Sequence, residues 1–208
     1  MQPSEDAVLA VKPGDLLTAA DAAIKQGARR LLSIAAGVPL HVLRTACGDQ
    51  VVVVRGMPNM PAVLGEAASA IAVAPGISEE DLKWAEGILA AVGSVVRVTE
   101  AQLDVVTGLA GSGPAYLFLV AEALTDAGVL GGLSRGVAEL LVQQLFVGSA
   151  AMLAESGSDP VGLRVAVTSP GGTTAAGLRV LERHGTRSSL LEAVLAGVER
   201  SKELGSLA

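Results

Sequence analysis

Large rings are nearly absent from this chain: aromatics are 2% of its 208 residues, with one tryptophan and one tyrosine. Half the residues are nevertheless hydrophobic and only 17% are charged, so a buried core is within reach. Ala, Val and Leu have to fill it, which implies close contacts between elements and spare apolar surface for a partner chain to cover. Cysteine occurs once, at Cys47. That excludes an intrachain disulfide and suits an inert, partly buried thiol. The two histidines, His41 and His184, lie far apart without Cys or acidic neighbours at ligand spacing, so no metal site is expected. Lys and Arg form no cluster and the net charge is −6, which argues against a nucleic-acid partner. No unbroken apolar run reaches the roughly 18 residues of a spanning helix. The start, Met1-Gln2-Pro3-Ser4-Glu5-Asp6, is polar and carries no signal-peptide core. The expectation is a soluble, cytoplasmic protein without a membrane partner.

What is present begins with short apolar runs. Residues 7–12 form one, ended by Pro13-Gly14, with Lys12 at its carboxyl end. Such a run suits a buried parallel strand. Asp15 can cap a helix over 16–25, closed by Gly27. A second run covers 30–36 and ends at Gly37. Pro39 fits the first turn of a short helix to about 46, with Gly48 after it. The β-branched run 51–54 leads into Met57-Pro58-Asn59-Met60-Pro61, where two prolines stop sheet pairing. Two more strands are expected at 69–74 and 94–98. Between them a helix starts at Ser78-Glu79-Glu80-Asp81 and ends at Gly93. Trp84 is expected to pack. The alternation predicts an α/β part with a parallel sheet and right-handed crossovers.

In such sheets ligands lie beyond the carboxyl ends of the strands. Those ends carry Ala10-Val11-Lys12-Pro13, Ala35-Ala36-Gly37 and the turn holding Asn59. Small residues let a ligand lie on the backbone, and Lys12 and Asn59 supply donors. By residue type alone, Lys12 could equally solvate a strand end and Asn59 could equally serve a turn.

From Glu100 the pattern becomes helical throughout, which places a domain boundary between 1–99 and 100–208. A helix over 101–109 is expected to break at Gly111-Ser112-Gly113 and restart at Pro114, running to about 127. Ser134 opens a long helix to about 155, and Asp159-Pro160 a shorter one. Ser189 with Glu192 resembles a capping box for the last helix, to about 204. No internal repeat is visible.

The stretch richest in chemistry is Val167-Thr168-Ser169-Pro170-Gly171-Gly172-Thr173-Thr174-Ala175-Ala176-Gly177-Leu178. Pro170 stops the preceding helix, Gly171 and Gly172 allow a tight turn, and Thr173 opens a helix to about 184. A glycine turn feeding a helix start offers free N–H groups and the positive end of a dipole, hence an anion site. An ordinary helix–helix turn is the plain alternative.

This run closely resembles the signature of the pyrroline-5-carboxylate reductase family. So does Gly108-Leu109-Ala110-Gly111-Ser112-Gly113-Pro114-Ala115-Tyr116, and the likeness extends from about Asp6 to about Leu204. The resemblance implies a partial Rossmann-type parallel sheet plus a helical dimerisation domain of the 6-phosphogluconate dehydrogenase-like type. It implies hydride transfer from NADPH or NADH to 1-pyrroline-5-carboxylate, giving L-proline, in a homodimer or larger homo-oligomer. Ala10, Val11, Lys12, Pro13, Ala35, Ala36, Gly37 and Asn59 would then lie along the nicotinamide half of the cofactor. Gly171, Gly172, Thr173 and Thr174 would bind substrate, with Thr174 on the imine nitrogen as the catalytic group. Against that family's pattern, no G-x-G-x-x-G turn precedes residue 7. Two βαβ units of that pattern, about 60 residues, have no counterpart. The expectation is either a longer protein that starts upstream of Met1, favoured because residues 7–11 would otherwise form an exposed apolar edge, or a true short form that holds its cofactor weakly. A non-catalytic dimerisation module therefore remains an alternative. Related dehydrogenases acting on hydroxy acids fit less well, because their acid/base lysine has no counterpart in 101–130.

Overall fold

The computed structural model describes residues 6–73, 75–155, 157 and 159–206. The polar start at residues 1–5 and the expected strand end at Ala74 lie outside them. Five strands form one sheet in the order β1 (Asp6–Leu9), β2 (Arg30–Ser33), β3 (Val52–Met57), β4 (Ala67–Val73) and β5 (Gly93–Thr99). Parallel pairing joins β1 to β2 and β2 to β3, through α1 (Leu16–Lys25) and α2 (Leu40–Cys47). The sheet is mixed rather than wholly parallel, because β3 and β4 run antiparallel, with Gly56 opposite Ile71. The connection explains this. Residues 58–66 hold only one 3₁₀ segment, Met60–Leu64, and a parallel return needs a crossover of a dozen residues or more. The helix α3 (Glu79–Ala90) supplies such a crossover, and β4 and β5 are parallel.

Successive strand residues point to opposite faces. Leu31 joins Leu16, Leu40 and Leu43 on the α1–α2 face. Leu32 joins Val54, Ile71, Leu82 and Leu89 under α3. Trp84 packs at the edge of that second cluster with the Arg30 guanidinium 5.2 Å from its ring centre. Two helix starts behave differently. Ser78 caps α3, its Oγ accepting from the Asp81 N–H at 3.1 Å, whereas Asp15 makes no side-chain cap bond to α1. Gly93 does not end α3; it opens β5, where a Cβ would lie 2.2 Å from the Ala67 carbonyl oxygen.

After β5 the chain runs through α4 (Leu103–Val106) and a π turn, Thr107–Gly111, into α5 (Gly113–Leu130). The expected break at 111–113 is replaced by this wider turn. The Ser112 N–H reaches back five residues to the Thr107 carbonyl at 2.9 Å, ahead of a proline that has no N–H to give. Gly108 leaves room there for the last helix, since a Cβ would stand 2.7 Å from the Val194 oxygen. The remaining helices are α6 (Arg135–Ala154), α7 (Pro160–Ala166), α8 (Thr173–Arg183) and α9 (Thr186–Ser206). Asp159 caps α7 through the Val161 and Gly162 N–H groups, both at 2.9 Å. Ser189 is not a cap. It sits inside α9, which starts three residues earlier, and its hydroxyl donates to the Gly185 carbonyl.

Two compact units result: residues 1–114 with 192–208, and residues 115–191. They are divided elsewhere than the change of composition at 99–100, because α4 packs on β3 and β4. The first unit holds the sheet and its core. Among its described residues, the second buries only Thr125 and Ala138. Its leucines stand open: Leu119 is 66% and Leu140 68% exposed. Two helices, Glu100–Leu130 and Arg135–Ala154, are long and apolar enough to cross a membrane by length and composition. That corrects the view that no segment meets this measure. Gly, Ser and Thr interrupt every run, yet few charges fall within either helix.

Candidate functional site

In the second unit, the loop ahead of α8 folds as its residues dictate. The Gly172 N–H donates to the Ser169 carbonyl at 3.0 Å, closing a turn with Pro170 second and Gly171 third. Gly171 has φ +70°, the left-handed value a type II turn demands at that place. Gly172 is then extended and serves as the N-cap of α8, with no side chain capping it. The first intrahelical bond runs from the Ala176 N–H to the Gly172 carbonyl at 3.1 Å. The amides of the first turn are therefore offered outward, and Thr173 and Thr174 are exposed beside them. This places Gly171, Gly172, Thr173 and Thr174 on one short turn with donors suited to a small carboxylate.

In the first unit, β1, β2 and β3 bring their carboxyl ends together. Leu9, Ser33 and Arg55 are in register, and the Ile34 N–H donates to the Leu9 carbonyl at 3.2 Å. Ala10, Val11, Lys12 and Pro13 follow β1 and are exposed. The Lys12 carbonyl accepts from the Asp15 N–H at 3.0 Å, which turns the chain away into α1. Ala36 is half-buried, whereas Ala35 is 7% exposed and Gly37 is buried with φ +78°. Those two shape the floor and offer little surface. The Asn59 amide is a bridge. Its Nδ2 donates to the Ala110 carbonyl at 3.0 Å and its Oδ1 accepts from the Ala68 N–H at 2.9 Å. One N–H of that amide is left over for a ligand. An open small-residue backbone strip, a lysine and a spare amide donor fit one face of a nicotinamide.

Sequence reasoning missed the half-buried ion pair beside this strip. Arg55 Nη1 donates to Glu100 Oε1 at 2.9 Å, and the same oxygen accepts from the Leu40 N–H. The signal was an arginine inside the β-branched run before Met57. Elsewhere the charges are structural. Arg97 on β5 binds Glu79 and Glu86, and its hydrogen bonds hold both carboxyls below their usual range. Burial pushes the Cys47 thiol up, away from reactivity.

Fold and site together define a class: Rossmann-like oxidoreductases with a helical dimerisation part. Residues 100–204 match the family model described as pyrroline-5-carboxylate reductase dimerisation. The pyrroline-5-carboxylate reductases of Synechocystis sp. and Methanosarcina acetivorans are each 45% identical over 204 residues, 97% of this chain and 76% of theirs. The enzyme from Coxiella burnetii superposes with a TM-score of 0.90 at 36% identity, over 98% of this chain and 77% of that one. That from Plasmodium falciparum, solved with NADP bound, gives 0.88 at 32%, over 98% and 78%. The chain belongs to the pyrroline-5-carboxylate reductase family, and it spans about three quarters of the length of these relatives. A homo-oligomer of the kind this family model describes accounts for the open leucines of α5 and α6.

Proposed function

We propose that this chain is an NAD(P)H-dependent pyrroline-5-carboxylate reductase that converts 1-pyrroline-5-carboxylate to L-proline in proline biosynthesis. It works in the cytoplasm as a homodimer or larger homo-oligomer that covers α5 and α6. The observation that carries the reading is the uncapped first turn of α8 behind Gly171 and Gly172, in a chain of this family. The amides around Gly172, Thr173 and Thr174 hold the substrate carboxylate. The Thr174 hydroxyl hydrogen-bonds the ring nitrogen and fixes which face of the C=N bond is presented. No His, Asp or Glu occurs in 167–178, so the nitrogen takes its proton from water or arrives protonated. Residues 1–99 supply the cofactor part: Ala10 to Pro13, Ala35 to Gly37 and Asn59 would lie along a nicotinamide. When bound, the reduced nicotinamide supplies the hydride for the ring carbon. Residues 100–208 supply substrate binding and assembly.

The test is direct. The purified chain is given 1-pyrroline-5-carboxylate with NADPH or NADH, and L-proline is followed by NMR. Formation of proline with matching loss of the reduced nicotinamide is expected. A correctly assembled chain that makes none overturns the assignment and leaves the non-catalytic dimerisation module.

A further inference from the structure

A concave feature lies within the first unit. The last turns of α9, the start of α4 and the end of β3 enclose a cleft of about 320 Å³. Arg55, Glu100, Asp104, Ser201, Lys202 and Gly37 are on its walls. Arg55 is the anchor. Its side chain is only 9% exposed, and its single protein bond is the one from Nη1 to Glu100. Among the described residues the sealed side-chain polar atoms without partners are the hydroxyls of Ser33 and Ser69, so the remaining guanidinium donors are not sealed, and Arg55 is one of the residues lining the cleft. Glu100 and Asp104 line the same cleft. Glu100 uses Oε1 for Arg55 and Leu40, which leaves Oε2. Asp104 uses Oδ1 for the Ser201 hydroxyl at 2.6 Å, which leaves Oδ2. Lys202 lines the cleft as well, its Nζ donating to Glu199 Oε1 at 2.8 Å.

Open donors and open acceptors together select the ligand. A phosphate or sulfate would meet two carboxylates, and a metal cation would meet two cationic side chains. A molecule with one anionic and one cationic group satisfies both sets. We propose that this cleft binds a small zwitterionic amino acid, its carboxylate on Arg55 and its ammonium or secondary ammonium on Asp104 and Glu100. The proposed activity enters only in the choice of L-proline as first probe. The binding site stands on its own geometry.

Titration of the isotope-labelled full chain with L-proline, read by amide NMR, tests it. Saturable shifts at Gly37, Ala101 and Gly205 are expected, in the millimolar range. Acetate or ethylammonium alone should bind about tenfold more weakly, because each makes half the charge-assisted contacts. Asp104→Asn should weaken proline about tenfold. Ala101→Phe, at an exposed lining position, should fill the cleft and abolish the shifts while the Leu32 and Ile71 methyl signals stay in place as a fold control. The proposal falls if the cleft amides do not move, if acetate alone matches proline, or if either variant binds like wild type. It also falls if NADPH and not proline moves them. Shifts confined to Gly172–Thr174 would put proline in the reaction loop and overturn the cleft while sparing the proposed activity. Cleft binding in a chain that shows no turnover would do the reverse.

Discussion

The two compact units are built from nearly the same alphabet and end in opposite conditions. In the sheet unit Leu16, Leu31, Leu32, Leu43, Val54 and Ile71 are shut away. In residues 115–191 the same kinds of side chain face outward, and only Thr125 and Ala138 are buried among the described residues. Apolar content therefore does not measure a core. A sheet has two faces and here its own helices cover them, so the leucines of its strands find neighbours within the chain, while Leu64 in the β3–β4 connection stays 80% exposed. A helix as apolar as α5 or α6 is apolar nearly all round, and no single neighbour can cover it.

The largest effect should come from charging that open surface. Leu119→Glu with Leu140→Glu is expected to abolish assembly and to melt α5 and α6 while the sheet unit keeps its fold. Light scattering and hydrogen exchange report the two outcomes separately. A wild-type chain that is a stable monomer at micromolar concentration would erase the contrast on which the comparison rests. Next in size is Leu32→Ala, in the sealed sheet core. The lost contacts and the cavity left behind should cost about 2–5 kcal/mol by denaturant unfolding. Leu130→Ala, on a side chain 90% exposed in the single chain, should cost far less unless a partner covers it. That pair of measurements maps the interface.

At the α8 turn the expected loss is in turnover. Thr174→Ala should lower it about tenfold to a thousandfold, the range for losing one orienting hydrogen bond, with unfolding unchanged. Thr174→Ser should retain more, because it keeps the hydroxyl; equal behaviour would remove that hydroxyl from the mechanism. The smallest effect concerns acid. Glu79 and Glu86 are held below their usual range by hydrogen bonds from Arg97. Their contribution is present above the unfolded carboxylate value of about 4.3 and is lost as pH falls through the lower folded values. Because the cluster is solvent-accessible, only a slight loosening of α3 against β5 is expected. Arg97→Met should flatten it in a pH series of melting temperatures.

Strands and helices of the sheet unit were legible because each carries its own punctuation. The residues 16–25 form a helix as expected, and Pro58 ends β3 one residue after Met57. The antiparallel turn into β4 was hidden because direction depends on the length of the connection and not on strand composition. The α8 turn was legible down to Gly171, whose positive φ follows from Pro-Gly. The Asn59 bridge was not, since its partners lie 9 and 51 residues away. For the same reason Arg55 gave little away: its partner Glu100 is 45 residues distant.

The π turn at Thr107–Gly111 has a consequence for register. One surplus residue in a helix turns everything beyond it by about 100° around the axis. Leu103 and Val106 are in phase with the sheet they cover, and α5 runs on a different clock. Deleting a single residue here would mend the hydrogen-bond ladder and rotate every side chain of α5 out of phase. The segment should thus accept substitutions far more readily than changes of length.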